Sequence, residues 1–114
     1  MQSITPKELV SLLEKSPEKI ELIDVRGTGE YNESHIPEAR NIPMHLIPMR
    51  LSEIDTKKKI ILVCLSGGRS GHMCGFLENS NIQAINLDWG MMKFIDAFPN
   101  KVIHGEKKKL FGLF

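Results

Sequence analysis

The chain has 114 residues, with 15 Lys+Arg against 14 Asp+Glu, a formal charge of +1. Apolar residues make up 41% and charged residues 25%, ordinary values for a globular domain. That length predicts one domain with a core burying roughly 65% of the unfolded surface, and the near-neutral balance gives no case for a nucleic-acid binder, which needs a basic face.

Thr5-Pro6-Lys7-Glu8 reads as a helix start, with Thr5 as cap, Pro6 at the first helical position and Glu8 reaching back. Leu9, Leu12 and Leu13 share one face, so a helix of about ten residues runs to Lys15, and Pro17 ends it. Lys19 to Val25 reads as a short strand, after which Gly27 and Gly29 break the pattern. Tyr31 to Pro43 reads as loop with a short strand near Arg40-Asn41-Ile42, and Met44 to Ile54 as a helix interrupted by Pro48. The apolar run Ile60 to Cys64 fits a strand buried on both faces. Ser66-Gly67-Gly68 is a turn, Arg69 to Leu77 a helix closed by Asn79 and Asn81, Ile82 to Leu87 a strand, and Gly90 to Ala97 a helix. Gly71 and Gly75 lie one turn apart in a helix, where each costs up to about 1 kcal/mol against Ala; close packing on a sheet is the expected compensation. Strands alternating with helices predict an α/β layer fold with a mostly parallel sheet. The domain is expected over residues 1–100, with a tail at 101–114 in which Lys107-Lys-Lys109 precedes Leu110 to Phe114.

The longest apolar run, Ile60 to Leu65, is six residues, far below the about 20 that a membrane helix needs. The N-terminal segment lacks the basic-then-apolar pattern of a signal peptide. Two cysteines are too few for a disulfide scaffold, so free thiols in a reducing, cytoplasmic setting are expected.

Cys64 falls at the carboxyl end of the most buried predicted strand, where ligands bind in open α/β sheets. Leu65, Ser66, Gly67, Gly68, Arg69 and Ser70 lead from it into a helix. Gly67 and Gly68 free the backbone to turn N–H groups inward, and the helix N-terminus adds about half a positive charge. Arg69 is the sole fully charged residue from Ile60 to Leu77. Together these features stabilise a thiolate below the free cysteine pKa of about 8.5. The competing structural reading is a buried strand cysteine followed by an ordinary turn. Four residues separate Cys64 from Arg69; a phosphotyrosine-type phosphatase loop has five and makes a wider cradle.

Cys64-Leu-Ser-Gly-Gly-Arg-Ser70 resembles the active-site loop of the rhodanese family, often written C-x-x-G-x-R-S. Leu22-Ile-Asp-Val-Arg26, Glu30-Tyr31 and His35 to Pro43 are similar to that family's N-terminal signature, and Asn86 to Phe94 to its C-terminal one. The resemblance spans about residues 3 to 98, with the motifs in family order. It implies a three-layer rhodanese-like α/β fold, a mostly parallel sheet flanked by helices on both faces, and a sulfurtransferase. A donor such as thiosulfate would pass its outer sulfur to Cys64, and cyanide or a thiol would remove it. A protein donor or acceptor is a further option. No cofactor and no metal is implied, and His72, Cys74 and Cys64 make no convincing ligand set. By resemblance the loop 65–70 holds the persulfide while Arg69 and Ser70 brace it and orient anions. Asp24 and Arg26 brace loops through ion pairing, and His35 is a structural hydrogen-bonding residue. Cys74 reads as a buried structural cysteine, with a resolving thiol as the alternative.

Three positions depart from the family pattern. Leu65 stands where many thiosulfate-using members carry Arg or Lys. Trp89 replaces the first of two usual glycines, and Phe94 stands where Trp is common. Trp89 has two readings, at the active-site mouth or packed in the core. Two other functions compete with sulfur transfer: a thiol-based phosphatase or arsenate reductase, and a non-catalytic module that binds a partner or carries protein-fed sulfur.

Overall fold

In the computed structural model, which describes residues 2–105, the first helix, α1 (Pro6–Lys15), opens on the expected cap. Thr5 Oγ1 accepts the Glu8 N–H at 3.1 Å, and Glu8 Oε1 accepts the Thr5 N–H at 2.9 Å. Strand β1 (Gln2–Ile4) precedes it and was not foreseen, since three residues carry no periodicity. Then come β2 (Ile20–Asp24), α2 (Thr28–Glu33), β3 (Ser34–His35), β4 (Arg40–Asn41), β5 (Lys59–Val63), α3 (Gly68–Asn79), β6 (Ala84–Leu87), α4 (Gly90–Ala97) and β7 (Ile103–His104). The sheet order is β1-β6-β5-β2-β4, and every pairing in it is parallel.

The side-chain alternation of β5 divides the core. Ile61 and Val63 join Leu9, Leu13, Met91 and Phe94 under α1 and α4. Ile60, Leu62 and Cys64 join Met73, Cys74 and Leu77 of α3, with Ile47 and Ile54. This is the expected three-layer α/β arrangement with helices on both faces. α3 ends in a Schellman turn: Asn81 has φ 62°, and Ile82 N–H reaches back to Leu77 O at 2.9 Å.

Two sequence expectations need correction. The stretch after Gly27, expected as a break followed by loop, holds the six-residue helix α2. It starts where Glu30 Oε1 accepts the Gly27 N–H at 3.1 Å, and it is too short to show an apolar period. Residues 44–54 form two 3-10 stretches, Met44–Met49 and Leu51–Glu53, instead of one interrupted helix. Pro48 cannot donate to an α-helical ladder, while Ile47 is drawn into the core.

Ordered pairing continues past residue 100, because Ile103–His104 runs antiparallel to Ser34–His35. Lys107 to Phe114 lies outside the described residues. No helix among the described residues is long and apolar enough to cross a membrane.

The topology leaves one crevice. From β2 the chain moves outward to β4, and from β5 it moves the other way to β6. The two strands pair in register, Asp24 with Val63, so their carboxyl ends are level. Loops leaving them diverge, and such a switch point is where open α/β sheets hold ligands.

The close packing expected at Gly75 is absent. A Cβ there would meet nothing within 4 Å. Gly75→Ala is therefore expected to stabilise the fold by up to about 1 kcal/mol, read as a higher denaturant midpoint at unchanged slope.

Candidate active site

β5 delivers Cys64 to the crevice. Val63 is fully buried and Cys64 is 1% exposed, so the sulfur lies beneath the surface. The chain then turns sharply: Gly67 takes φ 98°, a left-handed conformation that suits glycine, and α3 begins at the next residue. This turn aims the Gly67 N–H at Cys64 Sγ, 3.1 Å away, and places Ser70 Oγ 3.3 Å from it. Burial pushes the thiol pKa up. The Ser70 hydroxyl and the N–H groups of Ser70, Gly67 and Ser66 outweigh burial and hold it below the ordinary cysteine value. The positive end of α3 acts in the same direction.

Asn86, on β6, holds this loop from the neighbouring strand. Its Nδ2 donates to Gly67 O at 3.0 Å, and its Oδ1 accepts from the Ser70 hydroxyl. Ser70 has one proton for two acceptors, Asn86 Oδ1 and Cys64 Sγ. The two acceptors therefore compete for it. Gly90 closes the loop from the other side. Its φ is 52°, and a Cβ there would lie 2.2 Å from Cys64 O. That close approach allows Met91 N–H to bond Cys64 O at 2.8 Å, and Met92 N–H to bond Leu65 O at 3.0 Å.

Arg69 is committed to one partner. Its Nη1 and Nη2 donate to Glu30 Oε1 and Oε2 at 2.7 and 2.9 Å. The guanidinium holds the Glu30 carboxyl at about 2, with the Gly27 N–H adding to the effect. A carboxylate lowered that far stays ionised from there through neutral pH. The pair joins the α2 start to the α3 start across the crevice.

Asp24 and Arg26 form a second, fully buried pair, with Nη2 to Oδ2 at 2.8 Å. Arg26 Nη2 also donates to Ser34 O at 2.6 Å, so the pair ties the end of β2 to β3. His35 donates its Nδ1–H to Tyr31 O, 2.8 Å away, and its ring stacks on that of Tyr31 with centroids 3.8 Å apart.

Cys74 is fully buried in α3, and burial pushes its thiol up to about 12. It stays protonated near neutral pH, which fits the structural reading over the resolving one. His72 is exposed on the same helix. Among the described residues, no group of three or more His, Cys, Asp or Glu is placed to hold a metal ion.

Trp89 is 62% exposed, which overturns the core-packing reading. It sits next to the loop, since a Cβ on Gly67 would lie 3.4 Å from its backbone nitrogen. Its φ of 59° is left-handed, a conformation costing a non-glycine residue about 1–2 kcal/mol.

Residues 5–97 match the family model of the rhodanese-like domain. The chain belongs to the rhodanese-like family. It is 37% identical over 76 residues to a sulfurtransferase of Allochromatium vinosum, covering 66% of this chain and 71% of that protein. It is 36% identical to the putative sulfurtransferase YtwF of Bacillus subtilis, covering 68% of this chain and 76% of YtwF. Among solved structures, a rhodanese-like domain protein from Staphylococcus aureus superposes with a TM-score of 0.77 at 35% identity, covering 82% of this chain and 91% of that one. Similarity to relatives named as sulfurtransferases places this chain in a family of rhodanese-like transferases.

The rhodanese loop brings Cys64, Ser66, Gly67 and Ser70 together around one sulfur, while Leu65 points outward, 43% exposed. Glu30 and Asn86 were not singled out as site residues from sequence, because nothing local reveals that they reach Arg69 and Ser70. Ser70→Ala is expected to raise the Cys64 pKa, moving the pH profile of iodoacetamide alkylation to higher pH. An unmoved profile would remove Ser70 from the electrostatics. Asp24→Ala leaves Arg26 buried and unpaired, and should destabilise the fold by about 3–5 kcal/mol in denaturant titration.

Proposed function

We propose that this rhodanese-like domain moves sulfane sulfur through a persulfide on Cys64. The observation that carries this reading is a buried sulfur receiving the Gly67 N–H and lying within reach of the Ser70 hydroxyl, at the N-terminal end of α3.

The Cys64 thiolate attacks the outer sulfur of a donor such as thiosulfate. A new S–S bond forms, the donor's S–S bond breaks, and its electron pair leaves with sulfite. Cyanide or a thiol then attacks the outer sulfur and returns the Cys64 thiolate. Each step displaces one sulfur leaving group, with no external oxidant. The hydrogen-bond donors around Cys64 hold its thiol below the ordinary cysteine value, and once it is ionised the attack requires no general base. Leu65 to Ser70 form the cup around the terminal sulfur, and the N–H groups of Ser66, Gly67 and Ser70 with the Ser70 hydroxyl stabilise negative charge there. Arg69 braces the cup through Glu30, while Asp24 and Arg26 support the adjoining loop. Two free thiols, Cys64 and Cys74, fit a reducing, cytoplasmic setting.

A protein-fed route is favoured by one comparison. The chain is 36% identical over 80 residues to the putative sulfur carrier protein YrkF of Bacillus subtilis, spanning 43% of that longer protein. In that version the donor or acceptor is a protein persulfide or thiol, and the chemistry at Cys64 is the same.

Mass spectrometry after incubation with thiosulfate, or with a persulfidated donor protein, tests the reading. The expected result is a gain of one sulfur atom, lost on adding cyanide and absent in Cys64→Ser. A Cys64 that gains no sulfur from either donor and resists alkylation near neutral pH would identify a binding module instead.

A further inference from the structure

Three large apolar side chains stand exposed on the Cys64 loop and on the α4 start that packs against it: Leu65 at 43%, Trp89 at 62% and Met92 at 57%. They share one backbone junction, because Met92 N–H bonds Leu65 O and Trp89 N lies against Gly67. Trp89 and Met92 line a shallow surface to which Lys93 and Asp96 add one charge of each sign. Arg69, the one cation of residues 64–70, is held bidentate by Glu30. Trp89 also keeps its place against backbone preference. Its φ of 59° would suit glycine, yet an indole is presented to solvent there.

Charge and surface therefore agree on the kind of donor. A dianion approaching a thiolate gains from a net positive mouth, but the loop's one cation is already paired and Lys93 shares its surface with Asp96. A donor with a single charge meets less repulsion, and an apolar body gains contact with the indole, the Leu65 side chain and the Met92 thioether.

We infer that Leu65, Trp89 and Met92 make this domain selective for monoanionic sulfur donors that carry an apolar body, over thiosulfate. The inference rests on the sulfur-transfer reading above. For an organic thiosulfonate, R–SO2–S−, the Cys64 thiolate attacks the terminal sulfur. The new S–S bond forms on Cys64, the donor S–S bond breaks, and the electron pair leaves on the sulfinate R–SO2−. No proton moves, and the two negative charges before the step are matched by two after it.

The test compares three donors, with cyanide as the acceptor and thiocyanate as the readout: thiosulfate, the methanethiosulfonate anion and the benzenethiosulfonate anion. The first carries two charges and no body, the second one charge and a small body, the third one charge and an aryl body. In the unaltered protein kcat/KM should rise in that order. Trp89→Gly should lower the benzene-to-methane ratio by about fivefold or more while melting at the same or a higher temperature, since glycine tolerates the left-handed φ. Leu65→Arg should raise the thiosulfate-to-methanethiosulfonate ratio by about tenfold. A preference for thiosulfate in the unaltered protein, or an unchanged benzene-to-methane ratio in folded Trp89→Gly, overturns the selectivity. Failure of all three donors to load Cys64, while a persulfidated donor protein still loads it, overturns the selectivity and leaves the protein-fed reading; failure of that protein donor as well sinks sulfur transfer itself.

Discussion

A negatively charged sulfur kept beneath a protein surface must be met by donors, or burial drives it back to the neutral thiol. That constraint organises the carboxyl end of the sheet. Burial raises the Cys64 pKa, while the Ser70 hydroxyl and the N–H groups of Ser70, Gly67 and Ser66 lower it further than burial raises it. The donors converge only because Gly67 takes a left-handed turn and α3 starts directly after it. The loop keeps that shape because Asn86 grips Gly67 O from β6 and because Gly90 lets the α4 start approach Cys64 O.

Two ion pairs stabilise this arrangement in different ways. Asp24–Arg26 is buried, and its extra bond to Ser34 O uses donor capacity that burial would otherwise leave unsatisfied. It fixes where the chain goes after β2. Glu30–Arg69 is partly exposed and spans the crevice between loops that the topology sends apart. It adds little to stability at such exposure; its consequence is electrostatic, since it neutralises the loop's cation. The large exposed apolar groups beside the loop are Leu65, Trp89 and Met92, with Lys93 and Asp96 next to the last two.

Legibility in the sequence followed the range of the interactions. The α1 cap, the buried β5 run and the α4 span of Gly90 to Ala97 were readable, because each is specified by residues within a turn or two of one another. α2, β1 and the 3-10 stretches at 44–49 and 51–53 were not. They are short, and they exist because Glu30 caps Gly27, because β6 offers an edge to Gln2–Ile4, and because the core recruits Ile47. Gly75 shows the opposite failure: its helical position invited a packing explanation, and open space lies beside it.

At the site, Cys64 and its glycine-rich turn were visible from sequence alone, because strand end, turn and helix start are contiguous and the α3 dipole comes with them. The order of strands and helices likewise carried the fold class, since hydrophobic period and breaker residues are local properties. Tertiary structure alone decided which distant groups complete the site. Glu30 lies 39 residues from Arg69, and Asn86 lies 16 residues from Ser70. Only sheet order and strand register bring such pairs within bonding distance. The same holds for Trp89, whose exposure depends on how α4 seats against the Cys64 loop.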